Sequence, residues 1–145
     1  MDHNGLQAHI PIETKFLELF INNNLSWKTH IECIKSKLSS ACNVIQSVNP
    51  YVSKNTLKMI YYSYFHSIMT CALLFWGQSS ESIKIFRLQK KIIRIMIGCR
   101  SSDSCRKFFF NLEILPLTSQ YILSLLLFTI RNKNQFLVNS EIYLH

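Results

Sequence analysis

The amino-acid sequence predicts a mainly α-helical protein, a short N-terminal strand or hairpin followed by a bundle of about five helices. Two observations carry this expectation. Apolar residues recur at alternating spacings of three and four over long stretches, which is the period of an amphipathic helix. Only 3 glycines and 3 prolines interrupt 145 residues of which 48% are hydrophobic, too few breakers and too many core formers for a disordered chain. A compact fold of this length buries roughly 70% of the surface its unfolded chain exposes, so a single hydrophobic core is within reach.

Taken in order, Lys15 to Ile21 alternates weakly and is rich in Phe, Leu and Ile, which predicts a short strand with a turn at Asn22, Asn23 and Asn24. Trp27, Ile31, Ile34, Leu38, Ala41, Ile45 and Val48 then predict a long helix with Ser26 as its cap. Pro50 stops it, because its ring disfavours helical geometry at Asn49. A second helix follows Ser53, runs through Leu57, Ile60, Tyr61, Tyr64 and Ile68 toward Trp76 and ends near Gly77. The third spans Glu81 to Ile97, with an acidic residue at its positive end and Gly98 just past its cap. Ser104 to Leu112 predicts a short helix, Pro116 a break, and Ser119 to Arg131 a last apolar helix. The chain thus divides into an irregular segment 1–14, a strand and turn 15–25, a helical domain 26–132 and a polar tail 133–145.

Sixteen Lys and Arg against eight Asp and Glu leave a formal charge of +8, which favours a polyanionic partner. Projected at 100° per residue, Lys84, Arg87, Lys91 and Arg94 share one narrow sector of the third helix, and Ile85, Phe86, Leu88, Ile92, Ile93, Ile95, Met96 and Ile97 fill the rest. Like charges at such spacings repel by a few tenths of a kcal/mol per pair, and no Glu or Asp is expected to interleave. A nucleic-acid backbone would relieve the repulsion; a merely solvated outer face has the same periodicity. Gln89 projects into the apolar sector, where an unsatisfied amide costs roughly 1–3 kcal/mol, so a hydrogen bond to a neighbouring backbone group is expected, with a direct nucleic-acid contact as the alternative.

Catalytic constellations are not legible. The carboxylates Asp2, Glu13, Glu18, Glu32, Glu81, Asp103, Glu113 and Glu141 show no two-metal pattern, and His3, His9, His30, His66 and His145 do not join cysteines at zinc-site spacings. No cofactor or metal is therefore expected. Cys33, Cys42, Cys71, Cys99 and Cys105 form no Cys-x-x-Cys pair and read as reduced thiols; Cys99 and Cys105 bracket basic Arg100, but no acid or histidine completes a nucleophilic site. Gly5, Gly77 and Gly98 are isolated, so there is no phosphate loop. The opening residues lack a signal-peptide pattern, and the apolar runs Ile60 to Trp76 and Tyr121 to Ile130 read as core helices rather than membrane spans. An intracellular protein, nuclear or cytoplasmic and not secreted, is expected.

A set of ordered blocks resembles one family. Lys15-Phe16-Leu17, Leu25-Ser26-Trp27-Lys28-Thr29-His30-Ile31, Lys37-Leu38-Ser39-Ser40-Ala41, Tyr61 to Ser67, Phe75-Trp76-Gly77, Leu88 to Arg94, Ser104-Cys105-Arg106 and Ile114-Leu115-Pro116-Leu117 resemble the segment after the catalytic palm in jockey-like non-LTR retrotransposon reverse transcriptases. The resemblance implies that Phe16 and Leu17 match a primer-grip element and that the helices after it form a thumb clasping template and primer. Lys84, Arg87, Lys90, Lys91, Arg94 and Lys107 would then touch the backbone of an RNA/DNA or DNA duplex. Glu18 stands where the family has glycine, Asn22 where it has aspartate, and Cys71-Ala72 where it has Tyr-Gly. The family's metal-binding palm motifs and endonuclease would lie upstream of Met1, so the resemblance implies a truncated transposable-element polymerase that is no enzyme on its own. The alternative is a helical structural or interaction module, with a protein partner or self-association through an exposed apolar face.

Overall fold

The computed structural model describes residues 13–16, 19–22 and 26–136. Within these the protein is mainly α-helical, as predicted. The N-terminal stretch, expected as a short strand or hairpin, is an antiparallel pair, β1 (Glu13–Phe16) and β2 (Leu19–Asn22), with Phe16 opposite Leu19, so that Asn22, expected in the turn, ends the second strand. Leu17, Glu18, Asn23 and Asn24 lie outside the described residues.

Helix α1 (Lys28–Val48) buries Ile31, Ile34, Leu38, Ala41 and Ile45, the stripe expected from their spacing. Its N-cap is Trp27 rather than Ser26, whose Oγ accepts a 3.3 Å bond from Lys28 N–H. Pro50 lies in a short 3-10 turn, Asn49–Tyr51, that ends the helix.

The second predicted helix is not continuous. Ser53 caps α2 (Lys54–Ile60), its Oγ accepting from Thr56 N–H at 3.2 Å. A π-helical segment, Tyr61–His66, then leads into α3 (Ser67–Thr70). The buried side chains Leu57, Tyr61, Phe65, Met69 and Leu73 explain the wide turn, for they recur every four residues. In a regular α-helix each such step drifts about 40° round the axis, whereas a π turn has more residues per turn and keeps the row facing the core. The helix breaks at Cys71 and Ala72, with Ala72 left-handed at φ 53, and restarts as α4 (Leu73–Trp76). Trp76 Nε1 donates to the Cys71 carbonyl at 2.9 Å across that break.

Helix α5 (Ser82–Ile97) packs most extensively against α1 and places Ile85, Ile92, Ile93 and Met96 in the core. Gly98 follows it at φ 80 and donates to the Arg94 carbonyl, as its position after the cap predicts. Helix α6 (Arg106–Asn111) is the short predicted helix. Helix α7 (Leu117–Arg131) starts directly after Pro116, two residues before the predicted Ser119, because proline is well placed just outside a first turn.

Gln89 joins three elements. Its Nε2 donates to the Leu115 carbonyl at 2.9 Å and to Tyr61 Oη at 3.0 Å, and its Oε1 accepts from Leu117 N–H at 2.8 Å. The expected backbone partners are there, supplied by the segment that starts α7. Burial holds the Tyr61 phenol well above its ordinary pKa, against the opposing pull of the Gln89 hydrogen bond.

Candidate nucleic-acid interface

The basic face of α5 is built by the same periodicity that builds the core. With Ile85, Gln89, Ile92, Ile93 and Met96 turned inward, Arg87 and Lys91 stand exposed one turn apart on the opposite side. The other cations assigned to this face are not equally available.

Lys84 is engaged. Its ammonium lies 2.7 Å from Glu32 of α1 and also pairs with Glu81, so two carboxylates flank the cation that the sequence left unrelieved. Glu32 further holds Lys35 at 3.2 Å. Hydrogen bonds donated by Lys84 and then Lys35 hold the Glu32 carboxyl below its usual range, and those that Lys84 donates to Glu32 and Glu81 raise its own pKa. The expectation of an uninterrupted basic sector is corrected here: Glu81 follows helical spacing, whereas Glu32 arrives from a helix 52 residues away in sequence.

Arg94 is turned to structural use. Its Nε and Nη2 donate to the Asp103 carbonyl at 3.2 and 3.1 Å, while Asp103 Oδ2 accepts from Arg100 N–H at 3.0 Å, closing the loop after α5. Lys90 lies 4.9 Å from the centre of the Phe86 ring, a cation–π contact, and Phe86 stacks on Phe109 of α6. Lys107, on α6, is exposed. Arg87, Lys91 and Lys107 form no ion pair among the described residues.

Beside this face runs a cleft of about 320 Å³ lined by Lys91, Arg94, Gln46, Asn49, Gly98 and Ser101 among others. Asn49 Nδ2 donates to the Ile95 carbonyl at 2.9 Å and ties the end of α1 to the end of α5. Asn49, read only as a helix stop, was missed as a lining residue, since nothing local marks a contact 46 residues distant. Of the primer-grip-like pair, Phe16 ends β1 and Leu17 lies outside the described residues.

Cys42 is buried, which pushes its thiol up to about 11 despite the nearby Lys91, and Cys105 is buried with its sulfur 3.6 Å from the Lys90 carbonyl. These thiols pack rather than react. No group of three or more His, Cys, Asp or Glu among the described residues is placed to hold a metal ion, and no described helix is long and apolar enough to cross a membrane. No family model, characterised protein or solved structure matches the chain.

Proposed function

We propose that this protein is a thumb-like helical module of reverse-transcriptase origin that binds the backbone of RNA/DNA or DNA duplexes without reading sequence, and that it has no polymerase chemistry of its own. The observation that carries the reading is the exposed pair Arg87 and Lys91, one turn apart on α5, with the Lys91 and Arg94 cleft beside it. Two unpaired cations on a rigid helix can meet successive phosphates, and phosphate contacts position a duplex without specifying bases. Ala72 lends the family origin independent support. It adopts a left-handed conformation that glycine favours, at the position where the resembled family has glycine.

The number of contacts is smaller than the basic sector suggests, because Lys84 and Arg94 are already engaged within the protein. Each phosphate neutralised on a B-form duplex contributes about 0.9 to the slope of log affinity against log salt, so Arg87→Gln with Lys91→Gln should flatten that slope by roughly 2 units. Fluorescence anisotropy with labelled duplexes over a salt series reads this directly. Affinity should fall alike for unrelated sequences, and primer extension with magnesium and deoxynucleotides should yield no product. An unchanged slope in the double variant, or binding indifferent to salt, sinks the reading and leaves the interaction-module alternative, which the exposed apolar surface of α7 favours.

A further inference from the structure

Among the described residues, helix α7 is anchored at its beginning. Leu117 is buried and Tyr121 and Ser124 are half-buried, whereas Ile122, Leu123, Leu125, Leu126, Leu127 and Ile130 are all exposed. At 100° per residue Leu117, Tyr121 and Ser124 fall on the body side. Opposite them Ile122, Leu126 and Ile130, spaced by four, form a ridge that is 51%, 55% and 66% exposed, with Leu123, Leu125 and Leu127 on its flanks. Phe128, on the body side, is met by Phe136 edge-on at 6.3 Å.

We propose that this ridge is a dimerisation surface, and that what covers it is α7 of a second copy of the same chain. The charge distribution argues for that occupant. The protein carries a formal charge of +8, yet no residue from Leu117 to Ile130 is charged. Two like-charged copies therefore meet here with less repulsion than over their basic faces, and a polyanion gains nothing from this surface. A bilayer core is a poor fit, since the 15-residue helix is about 22 Å long against the roughly 30 Å needed to span.

Geometry permits closure. A ridge of residues at i, i+4 and i+8 packs into the matching grooves of an identical helix at a crossing angle of about −50°, and a two-fold axis through Leu126 makes the contact self-complementary. The partner helix covers the ridge Ile122, Leu126 and Ile130 and only part of its flanks, so the interface is smaller than the roughly 1,200–2,000 Å² of stable specific complexes. An interface of this kind makes a reversible dimer, populated as concentration rises.

Sedimentation equilibrium of the full chain tests this in about 0.5 M salt, where electrostatic association bridged by nucleic acid is suppressed. Over about 1 to 200 µM the weight-average mass should rise from 17.0 kDa toward twice that value. Leu126→Lys sets two ammonium groups against each other at the axis and should raise the dissociation constant at least about tenfold; Leu126→Gln, which adds no charge, should raise it less. Circular dichroism checks that both variants keep the helical content of the wild type. A monomer throughout the range, dimerisation unaffected by both substitutions, open-ended polymers, or a monomer that floats with phosphatidylserine vesicles through Leu126 would each overturn the proposal.

Discussion

Replacing Gln89 by leucine removes the joint from which α7 hangs. The side chain is fully buried, and its amide is the hydrogen-bond partner of two backbone groups at the start of that helix, the Leu115 carbonyl and the Leu117 N–H. Leucine fills similar space and offers no polar atom, so the two groups whose bonds to Gln89 are buried, the Leu117 N–H and the Tyr61 hydroxyl, are stranded in apolar surroundings, while the Leu115 carbonyl belongs to an exposed residue that water can reach. Each stranded buried group costs about 1–3 kcal/mol, or roughly 2–6 kcal/mol for the two, a large share of the ~5–15 kcal/mol that holds a domain together. Tyr61→Phe removes only the third contact and leaves both backbone bonds to Gln89 in place, for a cost of about 1 kcal/mol. Urea unfolding followed by circular dichroism separates the two variants. Hydrogen exchange should show the Leu117 amide losing protection first in Gln89→Leu. A Gln89→Leu variant within about 0.5 kcal/mol of the wild type would refute the reasoning, since stranded groups are not that cheap.

Two further predictions concern stability. His30 is buried with neither ring nitrogen hydrogen-bonded among the described residues, and burial, followed by the charge of Lys37, lowers its pKa below 6.5. Because the unfolded chain takes up that proton first, stability is full above about pH 6.5 and is lost as pH falls through the depressed folded value; His30→Leu should raise the urea midpoint and remove this part of its pH dependence. A His30→Leu profile that tracks the wild type from pH 7 to 5 would show that His30 is not the titrating group. Ala72→Gly should stabilise the protein by about 0.5–1 kcal/mol, the relief of a left-handed alanine less the added backbone freedom of glycine in the unfolded chain. A lower melting temperature in this variant would contradict it.

Local rules carried most of the secondary structure. The three-and-four spacing from Trp27 to Val48 places α1, Ser53 caps α2, and Gly98 closes α5, because each signal acts within a turn or two of the helix it marks. Even the buried Gln89 was legible as an amide in need of a partner. The π segment was not read, although its cause is written in the four-residue spacing from Leu57 to Leu73, since a continuous apolar and aromatic run looks the same to a search for an α-helical period.

The amino-acid sequence by itself determined that Lys84, Arg87, Lys91 and Arg94 share a face, for that follows from 100° per residue and nothing else. Only the tertiary structure decided which of them face solvent free of partners. Packing α1 against α5 brings Glu32 to Lys84, the loop after α5 folds back to occupy Arg94, and Arg87 and Lys91 are left exposed. The same holds for the apolar surface: the hydrophobicity of α7 is plain in its residues, but its exposure depends on α7 resting on the described part of the bundle through its first turns. Side-chain period is a property of one helix, whereas a charge's partner and a face's cover come from elements distant along the chain, and only folding brings them within reach.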